Sequence, residues 1–386
     1  MQGQTHFDII VIGAGSMGSA ACYYLAKQGA NVLALEQFIM PHGLGSHAGQ
    51  SRIIRKAYAE HPDYVPLLQR AYENWKHLEE ISGMQVYFKT GLLYSGKSES
   101  TWMQGVKSSA EKYQIEVNSV SVQEAQQRFS TCALPSSHEI LFEPDAGFVT
   151  PEKAISLYIE KAKQLGAVIK TQTPVLFWEK TEDGYVVHTQ KEKFFSKKLV
   201  ITAGPWAGKL MPLLQPQLTV TRQVVAWVNM KNRDALALGK FPCWIIADEN
   251  MPGIFYGFPV LPEEIFGEPI GFKLAHHYAA EKTDADSINR TTTAHDEKNI
   301  LYALDQFFPG SYQSTHVVKT CLYTNTPDEH FIIDYLPGHH KDVAMAAGFS
   351  GHGFKFASAV GEILSDLVLK GKTDLPIGFL RAGRFV

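Results

Sequence analysis

The sequence predicts an α/β fold in two interleaved domains, one on a parallel sheet with helices and one on a mainly antiparallel sheet (α+β). Three observations predict it. Residues 6–36 read as strand, glycine turn, helix, strand and acid: His6-Phe7-Asp8-Ile9-Ile10-Val11-Ile12, Gly13-Ala14-Gly15-Ser16-Met17-Gly18, a helix-like run to Gln28, the apolar run 31–35, then Glu36. The far end returns to that style, with a small-residue strand at 343–347, the loop Gly348-Phe349-Ser350-Gly351-His352-Gly353, and a helix that Gly371 stops. Between the ends, residues 216–317 are richer in strands and aromatics.

The N-terminal unit has the pattern of a Rossmann-type dinucleotide site. Gly13 allows the tight turn, Gly15 lets backbone N–H groups approach a pyrophosphate at the helix N-terminus, and Gly18 lets helix and strand pack closely. Glu36 follows Gly18 by 18 residues, near the spacing of a carboxylate that holds a ribose hydroxyl. Nothing in this turn distinguishes NAD from FAD.

The run 41–52 is too rich in glycine and small polar residues for a regular element and reads as a loop beside the dinucleotide; Arg52 and Arg55 bring cations into it. Val65, Leu68, Ala71, Tyr72, Trp75 and Leu78 form a helical stripe with Trp75 in the core. Residues 86–94 read as two short strands and 100–130 as polar helix alternating with strand, a segment inserted into the first domain. Thr150 is expected to cap the next helix with Pro151 in its first position, and Gly166 to end it after the stripe Ile155, Tyr158, Ile159, Ala162 and Leu165. A strand at 168–170, Pro174-Val175-Leu176 and a hairpin-like pair at 185–189 and 194–201 follow. The last strand ends Thr202-Ala203-Gly204, which suits close backbone approach to a ligand. Residues 222–229 and 254–258 alternate as half-buried strands; 271–277 pairs with the latter across a long, acidic, proline-bearing loop at 259–270. Residues 296–308 read as a helix that Pro309-Gly310 ends.

At 386 residues two domains are expected. A hydrophobic content of 45% and a charged content of 19% fit a globular chain, and a net charge of −3 gives no reason to expect nucleic acid or an acidic membrane surface. No apolar run approaches the ~20 residues of a membrane span. The N-terminus enters a polar stub and then a strand, so no secretory signal is expected, and Ala382-Gly383-Arg384-Phe385-Val386 is not a peroxisomal address. The four cysteines, 22, 132, 243 and 321, have no metal-like spacing, so free thiols, a cytoplasmic location and no metal are expected.

Several stretches together resemble the monomeric sarcosine oxidase and N-methyltryptophan oxidase family of D-amino-acid-oxidase-like flavoproteins. They are the 13–18 turn, Gly45-Ser46-His47 through Arg52-Ile53-Ile54-Arg55, Lys319-Thr320-Cys321-Leu322-Tyr323-Thr324-Asn325-Thr326-Pro327-Asp328-Glu329-His330, and Gly348-Phe349-Ser350-Gly351-His352-Gly353-Phe354-Lys355-Phe356. The resemblance spans about residues 5–375 and implies FAD as the dinucleotide. It implies an FAD-binding domain of 1–88, 149–215 and 318–386, interleaved with a substrate domain of 89–148 and 216–317. The thioether to the flavin 8α-methyl carbon falls on Cys321, and nearby cations would favour its thiolate. Gly13, Gly15, Ser16, Met17, Gly18 and Glu36 are the expected cofactor contacts at the N-terminus. Ser46, Ser51, Arg52, Val175, Ala203 and Gly204 are those of the middle, and Gly348, Gly351, Gly353, Phe354 and Lys355 those of the last loop.

The resemblance further implies a small secondary-amine amino acid as substrate, its carboxylate held by Arg55 and Lys355. Arg52 would lie beside the flavin, Lys273 would activate oxygen as a fixed cation, and His277 and Tyr256 would be active-site residues. His276 would then point to the opposite face of its strand. The implied reaction gives an imine, then formaldehyde from an N-methyl group, and hydrogen peroxide; the implied protein is a monomer. No obligatory acid–base residue with a strongly shifted pKa is expected. Other readings stay open: an N-methyltryptophan, pipecolate or fructosyl amino acid oxidase, a flavin amine dehydrogenase with a non-oxygen acceptor, a nicotinamide dehydrogenase or a non-catalytic flavin-binding protein. Two departures stand out. The family's His-His-Gly-Asp-Thr-Arg loop is His47-Ala48-Gly49-Gln50-Ser51-Arg52 here, so a histidine is replaced by Ala48. The 259–270 loop is longer than in the relatives and is expected to cover or reshape the substrate pocket.

Overall fold

The long strand Lys193–Ile201 organises the first of three sheets. Its first half pairs antiparallel with Gly184–Thr189, and its second half pairs parallel with Val343–Ala347 along Leu199–Ile201. On its other side it pairs parallel with His6–Ile12, which pairs parallel with Val32–Leu35 and through it with Val168–Lys170. The register sets Ile12 opposite both Ile201 and Leu35, so Gly13, Glu36, Thr202 and the end of the 343–347 strand meet at one edge. Carboxyl ends of parallel strands gathered at one edge make a ligand crevice. The computed structural model describes residues 4–278 and 280–385; the start of the N-terminal stub, Ala279 and Val386 of the C-terminal stretch lie outside them.

The helix Ser16–Lys27 packs on the helices Ala357–Lys370 and Pro151–Gln164, so elements from three distant parts of the chain share one core. Trp75 is in this core, with its Nε1 donating to the Lys355 carbonyl at 3.0 Å. Thr150 does not cap its helix by its side chain; its hydroxyl donates to the Val86 carbonyl at 3.3 Å, the same carbonyl that accepts from the Thr150 N–H. Pro151 does take the first helical turn, and Gly166 follows the helix at φ +96°. Leu165, the last member of the predicted stripe, is 49% exposed because the helix has already ended at Gln164.

The second sheet has eight strands. In spatial order they are Tyr312–Asn325, Thr219–Met230, Phe272–His277, Ile254–Gly257, Cys243–Ile246, Leu92–Gly96, Glu139–Glu143 and Asn118–Val120. The parallel pairing of Cys243–Ile246 with Leu92–Gly96 joins the two inserted segments. A small third sheet of Arg52–Ile54, Gly147–Val149 and Tyr87–Lys89 lies off these two. The 14-residue strand Tyr312–Asn325 is missed by local pattern and pairs with Thr219–Met230 throughout. A boundary at 317/318 would cut it, so Cys321 stands on the second sheet. The 259–270 loop carries a helical turn, Glu263–Phe266, within its acidic stretch.

Alternation places a working face on this second sheet. Registers Gln223↔Cys321, Thr221↔Tyr323, Trp227↔Lys273, Ile245↔Tyr256 and Ile254↔His277 put Cys321, Tyr323, Lys273, His277, Tyr256 and Ile245 on one side. His276 points to the other side, where it stacks on Phe255 and bonds to the Pro252 carbonyl at 2.8 Å.

Candidate active site

A cavity of about 420 Å³ runs from the edge of the first sheet to the working face of the second. At the first-sheet end the glycine turn is fixed by its neighbours. A side chain at Gly13, whose φ is +92°, would meet the Thr202 carbonyl at 2.7 Å, and one at Gly18 would meet the Gly13 carbonyl. A side chain at Gly15 would find only His47 Nδ1, at 3.9 Å, so the backbone lies open there. Gly15 is also the cap of the Ser16–Lys27 helix and carries no capping side chain, which leaves the first helical N–H groups for a ligand. Glu36 is buried and accepts from the Ala14 and Phe38 N–H groups at 3.0 Å each. Ser46, Val175, Ala203, Gly204, Gly348, Gly351, Gly353 and Phe354 line the same space.

Three expected contacts do not line it: Gly18, Ser51 and Lys273. Gly18 serves turn packing. Lys273 is 2% exposed and shares the Ser51 carbonyl with Arg52; its Nζ donates to the Gly49 carbonyl (2.5 Å), the Ser51 carbonyl (2.7 Å) and Ser51 Oγ (3.0 Å). Arg52 itself lines the cavity and donates to the carbonyls of Ser46, Ala48 and Ser51. Burial, then the nearby Arg52, pushes Lys273 well below the usual lysine range.

At the far end Arg55, Glu60, Lys355, His277, Tyr256, Tyr323 and Cys321 line one region. Glu60 is not found by sequence reasoning; it lies five residues beyond Arg55 in an irregular loop, and only the folded loop brings the two into contact. Arg55 Nη2 donates to both Glu60 oxygens at 2.8 Å, and Nη1 donates to the Ala57 carbonyl at 2.9 Å. Burial alone would neutralise Glu60, but Arg55, His352 and Lys355 hold its carboxyl down to about 2. Lys355 Nζ donates to the His352 carbonyl at 2.7 Å and lies over the Tyr58 ring, 5.3 Å away; Arg55 lies over the same ring at 4.4 Å. Tyr323, quoted in the sequence motif without a role, has its hydroxyl 3.3 Å from His277 Nδ1.

Strong shifts surround the cavity. Burial lowers Lys355 to about 7, helped by Arg55 and opposed by Glu60, and burial holds His277 down to about 4. Burial raises the Cys321 thiol, while Arg52, Lys273 and Arg290 pull it part of the way back. A substitution follows from the last glycine loop. Gly351 has φ +80°, and a side chain there would meet Tyr323 Cε2 at 2.3 Å. Gly351→Ala is expected to displace Tyr323 and cost on the order of 2 kcal/mol, read as a lower melting temperature.

The FAD dependent oxidoreductase family model matches residues 8–367. The chain belongs to this family. Within it, the chain is 40% identical over 385 residues to the monomeric sarcosine oxidase of Bacillus sp. (strain NS-129), covering 98% of this chain and 97% of that one. It is 34% identical over 381 residues to the N-methyl-L-tryptophan oxidase of Escherichia coli (strain K12), covering 98% and 99%. Solved structures share the fold. NikD, an unusual amino acid oxidase essential for nikkomycin biosynthesis, matches with TM-score 0.85 at 21% identity over 98% of each chain. The L-proline dehydrogenase of P. horikoshii matches with TM-score 0.83 at 22% identity over 99% and 98%.

The residues present fit FAD, the cofactor of this oxidoreductase family. An uncapped helix N-terminus with an open Gly15 suits a pyrophosphate, and the buried Glu36 carboxylate suits a ribose hydroxyl. The space continues to a region lined by the cationic side chains Arg52, Arg55 and Lys355. Among the described residues no group of His, Cys, Asp and Glu is placed to hold a metal ion, and no helix is long and apolar enough to cross a membrane.

Proposed function

We propose that this FAD-dependent oxidoreductase is an oxidase of secondary amines, N-methyl amino acids such as sarcosine, and that FAD is attached to it through Cys321. One observation carries the reading: Arg55 and Lys355, 300 positions apart, line the same cavity region as Tyr256, His277 and Cys321. The printed activities of the relatives support the substrate class. The first-sheet segments form the FAD-binding domain and the second sheet the substrate domain. The working form is a cytoplasmic monomer, with dioxygen as acceptor.

Bound FAD would supply a two-electron acceptor for the amine and then a donor to oxygen. Arg55 and Lys355 bind the substrate carboxylate, with the planar guanidinium fixing its orientation. Because Glu60 occupies Arg55, the incoming carboxylate displaces or shares it. His277 is neutral near pH 7 and, with Tyr256 and Tyr323, orients the neutral amine without adding charge. The amine loses two electrons and a proton, those of one N-methyl C–H bond, and its N–C bond becomes the C=N bond of an iminium. Water hydrolyses this to formaldehyde and the demethylated amino acid. Dioxygen takes the two electrons with two protons and leaves as hydrogen peroxide, and Lys273, its ammonium favoured by three oxygen acceptors against the burial that lowers its pKa, provides a cation for that charge.

Anaerobic sarcosine is expected to bleach the flavin, and air to restore it with release of peroxide. Recovery with a quinone or dye but not with air would turn the reading to an amine dehydrogenase. No bleaching by sarcosine, N-methyltryptophan, pipecolate or a fructosyl amino acid would overturn it. A pH effect follows from Lys355. Its free-enzyme pKa of about 7 is lowered, and a bound carboxylate favours the charged form. Affinity for a simple carboxylate such as acetate is therefore fully present below pH 7 and falls above it, by at most about tenfold per pH unit. Spectral titration of the flavin with acetate from pH 6 to 9 measures this.

A further inference from the structure

None of the 259–270 residues line the cavity. The loop is bonded instead, through Gln50, to the turn whose carbonyls hold Lys273. Gln50 is the residue between the two whose carbonyls hold Lys273. Its φ of +66° follows that of Gly49 at +119°, a pair of left-handed residues that turns both carbonyls toward one ammonium. A non-glycine residue adopts this conformation only when its surroundings hold it.

The surroundings are specific. Gln50 Nε2 donates to the Gly267 carbonyl at 2.7 Å and more weakly to that of Phe266 at 3.4 Å. Gln50 Oε1 accepts from Trp227 Nε1 at 2.9 Å. Phe266 is anchored against Phe88 and Phe148, so the loop end is a fixed point. Trp227 in turn places its ring 5.4 Å from Lys273 Nζ. Glu152 completes the frame by accepting from the Gly49 N–H at 2.6 Å and the Gln50 N–H at 3.3 Å. Both polar ends of the Gln50 amide are thus bonded, one to the loop and one to the tryptophan beside the lysine.

We propose that Gln50 is a positioning residue for Lys273, tying the turn that holds its ammonium to the 259–270 loop and to Trp227, and so governing electron delivery to oxygen rather than amine oxidation. The inference rests on the reading of Lys273 as the cation of the oxygen step. In that step O2 takes two electrons, held by the reduced enzyme after amine oxidation, and two protons to give H2O2. A displaced ammonium leaves the charge on oxygen less stabilised, whereas Arg55 and Lys355 on the substrate side are untouched.

The test is Gln50→Leu in the flavin-loaded enzyme, with Trp227→Phe as a second variant that deletes one bond of the same frame. Reoxidation by air after anaerobic reduction is expected to slow by roughly tenfold in Gln50→Leu, a part of what outright removal of a preorganised group costs. Reduction by sarcosine should change by less than about twofold, since Arg55 and Lys355, which hold the substrate carboxylate, are bonded to Glu60, Ala57 and His352 and not to this turn. Deuterium uptake of peptides covering 46–52 and 262–270 should rise together. Unchanged reoxidation, or an equal fall of both half-reactions with loss of flavin, would overturn the proposal. Lys273→Met separates the premises. If it leaves reoxidation unchanged, the oxygen role of Lys273 fails, while deuterium uptake in Gln50→Leu still decides whether Gln50 holds the turn. Unaltered uptake at both peptides rejects the tie itself.

Discussion

Arg55→Ala is expected to lower kcat/KM for sarcosine by about two to four orders of magnitude, the ~3–5 kcal/mol of breaking a buried charge contact, while the purified protein stays yellow. The guanidinium is 3% exposed and makes three bonds, two to Glu60 and one to Ala57. Its removal takes away the planar partner for the substrate carboxylate and leaves Glu60 in the cavity as an unpaired anion that repels it. Lys355 then becomes the nearer cation for Glu60, which compounds the loss. Arg55→Lys keeps the charge but not the fork, and should fall between wild type and Arg55→Ala. The 13–18 turn proposed to hold FAD lies at the other end of the cavity, so flavin content should hold. Steady-state kinetics with flavin-normalised enzyme measure both. Unchanged kcat/KM in Arg55→Ala would reassign the carboxylate site.

Cys321→Ala is expected to abolish covalent flavin. Acid precipitation of the wild type should leave yellow colour in the pellet, and that of the variant should release all flavin to the supernatant. Cys321 is the thiol among the described residues that lines the cavity, and Arg52, Lys273 and Arg290 offset part of the burial that raises its pKa. Burial pushes Cys22 and Cys243 up to about 12, and raises Cys132 further; of the three only Cys243 has a cation pulling back, the single Lys273, against the three around Cys321. These three should not substitute for it. Pellet colour in Cys321→Ala would place the attachment elsewhere.

The parts legible in the sequence are those that local pattern determines. The strand-turn-helix at 6–27 and the acid at 36 are read from period, glycine spacing and strand ends, and the register then brings Gly13, Glu36 and Thr202 to one edge. The helices at 65–82 and 357–370 follow their apolar stripes. What local pattern does not determine is cross-chain pairing. The strand Tyr312–Asn325 has mixed burial along most of its length, so its period is weak. Its identity comes from Thr219–Met230 beside it. Glu60 and Glu152 are invisible for a related reason: each is an ordinary acid whose partner is set by a loop conformation. Gln50 appears in sequence only as a substitution in a loop; its bonds to Gly267 and Trp227 span more than 170 positions.

The loop at 259–270 shows the converse. Its length is visible, yet its place is not, and none of its residues line the cavity it was expected to cover. Phe266 packs on Phe88 and Phe148, partners that no local pattern in the loop shows. His276 and His277 are a case where period suffices. Strand alternation separates them, and the structure puts His277 at the cavity and His276 against Phe255.

The most direct measurement is the product balance from sarcosine under air. Secondary-amine oxidation at this site predicts formaldehyde and hydrogen peroxide in equal amounts, matching the sarcosine consumed. Formaldehyde without peroxide, or no turnover of any N-methyl amino acid by the yellow protein, would contradict it.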